Sequence, residues 1–490
     1  MKIIELIKNF NWPNEIFGSD KSLSNFTVAM VLAFFLVLLH GVTLGYGFNG
    51  EDFILTIPLS DYSFLEQGKL ATEMYFRPLW HLWFAIQYEL FGFNDFAFHA
   101  SQLSFHFILM YLGYSLFVKI GFKQYISIFA VCLWTLLSSA AFPIVWPNQN
   151  SDMICLFFVL CSYHVAWSYF KGGEKDTKIF FFALCLWFLS LFGKEMGFAA
   201  PLLFILISYV RSLKEAGKIK FFNKTVLLSV LGLASFVATK FLYHGGAGGF
   251  SSNQYSKSQT ADSSIIVKLV GKAVHFVEGI FYSAFPLDLA NNVMQIIFVL
   301  LVSVISLVAF YFLIKRMSTN ARIVLAALAV VSISLGPHTM FNPHPRTLYV
   351  PSIFWALTYT VIIAPFLYGI FVEKKILSTM TEKFVLLTIC LFFSVQVMLV
   401  KNVQGFFAPR SDNMIQFYSH MLHQLDQKER SLEQEKIDYA LKEMEHVKVL
   451  EPTEGLRNYY SDEIGRRYGE LSYWRTFAKS MFKKVFQRHE

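Results

Sequence analysis

Long apolar runs, each about 20 residues and separated by short polar breaks, dominate the chain. A helix of that length crosses the hydrocarbon core of a bilayer. The pattern predicts spans near 26–47, 98–118, 125–145, 152–170, 178–193, 196–210, 222–243, 288–314, 321–337, 349–371 and 384–404, eleven in all. The runs 178–193 and 196–210 are short and separated only by Gly193-Lys194-Glu195, so they read as two spans or one re-entrant hairpin. Arg77, His81, Gln87 and Glu89 interrupt the apolar stretch 77–93, which reads as an interfacial helix. A transmembrane barrel would instead alternate polar and apolar residues over ten-residue segments.

The tail 405–490 reads differently. Met414, Phe417, Met421, Leu422 and Leu425 follow helical spacing, as do Ile437, Leu441 and Met444. Near the end, Trp474, Phe477, Met481, Phe482 and Val485 share one face, with Arg475, Lys479, Lys483, Lys484 and Arg488 on or beside the other. That is an interfacial helix on anionic lipid, or a small helical domain with a basic edge. The expected organisation is thus an all-α polytopic membrane module, 1–404, followed by a helical amphipathic tail, 405–490.

Composition agrees with the pattern. Of 490 residues, 55% are hydrophobic, 18% aromatic and 16% charged, with mean hydropathy +0.47. A soluble domain carries about 25% charged residues. Cys132, Cys155, Cys161, Cys185 and Cys390 all lie in apolar stretches without paired spacing, which excludes a disulfide scaffold.

Lys and Arg concentrate on alternate connecting segments. One set holds Lys2, Lys8 and Lys21, then Lys119 and Lys123, Lys171 to Lys178, Arg211 to Lys224, Lys315 to Arg322, and Lys374 to Lys383. By the positive-inside rule these segments are cytoplasmic. Eleven spans then place the N-terminus inside and the tail outside. The first apolar run is full length and begins after about 25 polar residues, so no cleavable signal peptide is expected. The net charge of +8 reflects these connectors and implies no nucleic-acid partner.

The external face holds two long loops, 48–97 and 244–287. Four polar clusters and one carboxylate fall on that face. Glu51-Asp52 follows the first span and suits a general base, a cation site or a solvated pair. A divalent cation, magnesium or manganese, is the cofactor such a pair would hold. Tyr75-Phe76-Arg77-Pro78-Leu79-Trp80-His81 sets an Arg among aromatics. Its guanidinium fork matches phosphate or carboxylate oxygens, or anchors at the headgroup level. In Gly193-Lys194-Glu195-Met196-Gly197 the Lys either joins an internal ion pair or faces an anionic substrate. Pro337-His338 through Pro343-His344-Pro345-Arg346 reads as a rigid anion-binding loop. Metal ligation by the two histidines lacks a nearby Cys or acidic ligand. Asp152 follows Trp146-Pro147-Asn148-Gln149-Asn150 at a span entrance.

Carboxylates, a Lys and two Arg on one face are what is needed to bind a phosphate leaving group and deprotonate an acceptor. A transporter would favour charges and broken helices near the bilayer midplane. The predicted spans are mostly uninterrupted, with His164 among the few exceptions.

In ordered motifs the chain resembles the GT-C class of membrane glycosyltransferases. It is most similar to the branch of protein O-mannosyltransferases and transmembrane tetratricopeptide-containing mannosyltransferases, with their bacterial relatives. The motifs are Glu51-Asp52 and Tyr75-Phe76-Arg77-Pro78-Leu79, then Phe91-Gly92-Phe93 and Phe98-His99 with His106. Lys194-Glu195-Met196-Gly197 with Pro201 follows, and then Arg346-Thr347-Leu348-Tyr349-Val350-Pro351-Ser352. The match covers roughly 25–370. It departs from the family in having Glu-Asp where the acidic site is usually Asp-first, Gln102 where Asn is expected, and no tetratricopeptide repeats.

The resemblance implies an inverting transferase that uses a polyprenyl-phosphate-linked sugar donor and a glycan, lipid or protein acceptor. Asp52, with Glu51, would be the base. Arg77, with Arg346 or Lys194, would hold the donor phosphate. Glu195, Asp152, His338, His344 and His81 would support them. A bacterial inner membrane is the expected location. Competing readings are a lipid-linked oligosaccharide ligase or polymerase, a lipid or sugar transporter, and an inactive scaffold.

Overall fold

The computed structural model describes residues 23–47, 77–91, 94–173, 176–194, 224–244, 285–334, 348–371 and 379–427, with parts of 14–18 and 196–208. Side chains are described up to residue 408 in the last of these helices. Among the described residues the regular elements are helices, with one isolated antiparallel bridge between Phe17 and Phe122.

In chain order the helices are α1 (Asn25–His40), α2 (Pro78–Phe91), α3 (Asp95–Ile120), α4 (Gln124–Leu136) and α5 (Ser138–Val145). They continue with α6 (Asn150–Lys171), α7 (Thr177–Gly193), α8 (Lys224–His244) and α9 (Val293–Arg316). The last three are α10 (Thr319–Ser334), α11 (Tyr349–Phe371) and α12 (Met380–Gln427). Local sequence sets many of the boundaries. Ser24 accepts from the Thr27 N–H, and Asn94 from the Ala97 N–H, so both cap orphan donors at helix starts. Gly121, at φ 117°, ends α3 in the left-handed conformation that glycine adopts without strain.

Among the described residues six helical segments are long and apolar enough to cross a membrane: Asn25–Gly45, Asp95–Ile120, Pro147–Lys171, Val293–Arg316, Tyr349–Ile370 and Met380–Ala408. With the composition, this makes the chain an integral membrane protein. Each of the six coincides with a predicted span. The predicted span 125–145 is instead α4 and α5, bent by 66° at Leu137. Paired serines, Ser138 and Ser139, follow the bend, and Pro143 has no N–H to donate to the Ser139 carbonyl.

The count of eleven is therefore not reached among the described residues. Thr177–Gly193 has 17 residues, about 25 Å of helix at 1.5 Å per residue, which is short of a hydrocarbon core of about 30 Å. In α8 and α10 the apolar stretches described are 224–235 and 319–329, and 196–210 is described only in part. The stretch 77–93 does form a helix, α2, and it is not among the long apolar spans.

The core lies around α6 and α11, whose spans are 61% and 72% buried. α4 packs on α11, and α3 and α7 pack on α6. α1 and α9 are peripheral, 28% and 33% buried. They expose Phe26, Phe34, Leu38, Leu301 and Leu307, the outward apolar faces a lipid environment accepts.

Candidate active site

The turn between α5 and α6 organises the described part of the site. α5 ends at Val145, Trp146 is extended, and Pro147 opens a short 3-10 turn before α6 begins at Asn150. Two helices, α3 and α2, hold this corner through polar side chains. From α3, the Gln102 side-chain amide donates to the carbonyls of Pro143 (3.1 Å), Pro147 (3.4 Å) and Trp146 (3.5 Å). From α2, the Trp80 indole donates to the Asn148 carbonyl at 3.0 Å. The Asn150 amide donates to Gln87 Oε1 at 3.0 Å, and Gln87 in turn donates to Ser101 on α3. Buried carbonyls left over by a broken helix require such partners.

Asp152 sits in the first turn of α6 and is fully buried. Lys194, the residue that caps the end of α7, brings its Nζ to 2.5 Å from Asp152 Oδ2. A carboxylate at a helix N-terminus also meets the positive end of the helix dipole. Gly193 makes the approach feasible, because a Cβ there would stand 2.9 Å from both the Cys155 N and the Ile154 Cγ2. Of the two readings open for Lys194, the internal ion pair is present, and its described partner is Asp152.

Arg77 precedes α2, and its carbonyl accepts from the N–H groups of Trp80 and His81. Pro78 occupies the first helical position, where a missing N–H costs nothing. α2 packs on both α6 and α7, and Trp80 in its first turn reaches the Asn148 carbonyl just before α6. Burial lowers the His81 pKa to about 4, helped by the Arg77 charge, so its imidazole is neutral at physiological pH.

The first long loop starts from the same corner. The His99 Nε2 lies 3.5 Å from the Gly47 carbonyl, and Tyr46 packs in one apolar cluster with Phe142, Trp146 and Phe407. Glu51, Asp52, Glu195, His338, His344 and Arg346 lie outside the described residues. Of the predicted site residues, Asp152 and Lys194 are in contact, and Arg77 and His81 lie in sequence beside Trp80, whose indole reaches the Asn148 carbonyl. Among the described residues no group of three or more His, Cys, Asp or Glu is arranged to hold a metal ion.

A second polar group, absent from the sequence-based candidates, lies deeper in the bundle. His40 Nε2 bonds the Thr135 carbonyl at 3.1 Å, and Gln404 donates to the other ring nitrogen at 3.2 Å. His106 joins the Thr135 hydroxyl at 3.1 Å and the Tyr349 hydroxyl at 2.8 Å. His40, Thr135, His106 and Tyr349 are all fully buried. The sequence signals for this group are His106 and Tyr349 in the ordered motifs, and the presence of His, Gln and Thr inside otherwise apolar runs.

No family model matches the chain, and no curated protein matches it. Among solved structures, the chain is similar to the oligosaccharyltransferase of Archaeoglobus fulgidus in its apo form, at 10% identity and a TM-score of 0.46. The similarity covers 84% of this chain but only 59% of that one, less than two thirds of its length.

Proposed function

We propose that the chain is a GT-C type glycosyltransferase. It moves a sugar from a polyprenyl-phosphate-linked donor to a hydroxyl of a glycan, lipid or protein, with inversion, on the external face of a bacterial inner membrane. The observation that carries this reading is the shared corner. Asp152 pairs with Lys194 across two helix ends, and Trp80, three residues after Arg77, reaches the Asn148 carbonyl just before the helix that carries Asp152. The motif order adds support.

In this reading the Arg77 guanidinium grips the donor phosphate. It holds the negative charge that the phosphate oxygen acquires as the bond to the anomeric carbon breaks. The acceptor oxygen forms the new bond from the opposite face, and its proton passes to Asp52, assisted by Glu51. Arg346 is a second phosphate ligand, with Glu195, His338 and His344 in support. Lys194 is held by Asp152, so it acts as a fixed charge at the corner. A divalent cation at Glu51-Asp52 is a further element of the proposal.

A transfer assay on purified protein in liposomes tests it, with a panel of polyprenyl-phosphate sugars and acceptors. Wild-type protein should release polyprenyl phosphate. Arg77→Ala should reduce kcat about 100-fold or more, and Asp52→Asn similarly. Full activity in either variant would remove that residue from the chemistry.

One observation favours a second reading, a transporter of lipid or sugar: the break between α4 and α5 inside a predicted span. Movement of the lipid-linked sugar between leaflets without release of polyprenyl phosphate would establish it.

A further inference from the structure

The turn that follows α7 is folded back onto the end of that helix. Lys194 is extended, at φ −161° and ψ 147°, so the helix stops at Gly193. The Lys194 N–H still donates to the Ser190 carbonyl at 3.1 Å, and the Lys194 carbonyl accepts the Gly197 N–H at 3.4 Å. The Gly197 carbonyl in turn receives the Trp187 indole N–H at 2.8 Å. Gly197 is buried, so its carbonyl needs a partner within the protein. One indole thus ties the far side of the turn to α7, across ten residues of chain.

The indole is itself held in place. Trp187 is fully buried. A Cβ at Gly232 of α8 would stand 2.8 Å from its Cζ3, so α8 lies directly against the ring. The Ser190 hydroxyl donates to the Trp187 carbonyl at 2.6 Å, and a Cβ at Gly197 would collide with that hydroxyl. Beyond the turn, the Tyr163 hydroxyl of α6 donates to the Ala200 carbonyl at 3.3 Å. Before it, Lys194 Nζ reaches Asp152, also on α6. The turn is therefore tied to α6 on either side and to Trp187 between.

We propose that Trp187 is a positioning residue for Lys194: by holding the Gly197 carbonyl, its indole N–H fixes the turn from which the lysine reaches Asp152. The role rests on the glycosyl-transfer reading, in which Lys194 is a fixed charge where the donor phosphate binds. Without the indole N–H, the Gly197 carbonyl loses its partner, the turn opens, and the Lys194 ammonium leaves its place on Asp152.

The test removes the indole N–H in two ways. Trp187→Phe deletes it with part of the ring. Benzothienylalanine placed at 187 keeps both rings and exchanges only the N–H for sulfur, which guards against failure through a cavity. Thermal unfolding checks that each protein folds. Lys194 is read first without turnover, as its rate of acetylation by acetic anhydride, followed by mass spectrometry. Both replacements should raise that rate severalfold, and rates equal to wild type would overturn the proposal. In the liposome transfer assay each should lose about tenfold in kcat with donor KM little changed, as a displaced charge costs the transition state more than binding. In a Lys194→Met background the same replacements should cost no further kcat, since no charge remains to be placed. Losses that add in that background would overturn the proposal and assign Trp187 to packing alone. Absence of transfer by wild-type protein would count against the glycosyl-transfer reading, and the acetylation rates would still decide whether Trp187 holds Lys194.

Discussion

Two buried polar groups stand a few turns apart, and they solve burial in opposite ways. At the corner, Asp152 and Lys194 remain ionised as a pair, at the start of one helix and the end of another. Deeper, His40, Thr135, His106 and Tyr349 satisfy one another without any charge. Desolvating a charge is far more costly than burying a hydrogen-bonded neutral group. A charge is therefore retained where helix ends and an opposite charge lie close by. The neutral group ties α1, α3, α4, α11 and α12 together and carries no net field. The difference suggests that the corner supports chemistry and the deep group supports geometry.

The most severe way to break the comparison is to remove one charge of the pair. Asp152→Ala takes a described partner from the Lys194 ammonium, in a site only 11% exposed, and should cost about 3–5 kcal/mol in detergent-based unfolding. Asp152→Leu with Lys194→Leu should restore much of that stability while transfer stays lost, which separates folding from chemistry. Next comes Gly193→Ala, which forces a methyl to 2.9 Å from the Cys155 backbone. It should cost about 1–3 kcal/mol and weaken transfer by shifting Lys194. Both effects are readable in one variant by unfolding and kinetics.

Smaller effects sharpen the neutral side. Thr135→Val removes the acceptor of His106 Nε2 and should cost about 1–2 kcal/mol, with no change in the pH profile of activity. Gln102→Leu strips the corner carbonyls of their shared donor and should cost about 1 kcal/mol. The mildest signature is in pH. His81 has its pKa lowered to about 4 in the folded chain, against 6.5 for the free side chain. The unfolded chain thus binds the proton first on acidification. The His81 contribution to stability is complete above pH 6.5 and declines as pH falls from there toward 4. Arg77→Ala should raise the His81 pKa and flatten that slope, measurable by unfolding across the range.

Legibility differed by feature. Spans such as 98–118 and 288–314 were readable because about 20 apolar residues leave a helix few alternatives in lipid. The break at Leu137 was not readable, since Ser138-Ser139 and Pro143 sit inside a run that is apolar overall. Lys194 was singled out by its position between two runs. Its described partner, 42 residues earlier, could not be deduced from spacing, and Asp152 entered only as an isolated carboxylate. Gln102 stood out as a departure from a motif. Its contacts show why a longer amide suits this chain: it reaches three carbonyls across the corner.

By itself the sequence determined the solvent, the helical class, the alternation of basic connectors and a short set of candidate charges. All of these depend on local composition, which needs no knowledge of neighbours. Only the tertiary structure decided which charges meet, which buried histidines bond which partners, and where a span breaks. Those outcomes depend on contacts between residues as far apart as His106 and Tyr349, 243 positions along the chain. Such contacts arise from helix packing, which spacing along the chain does not encode.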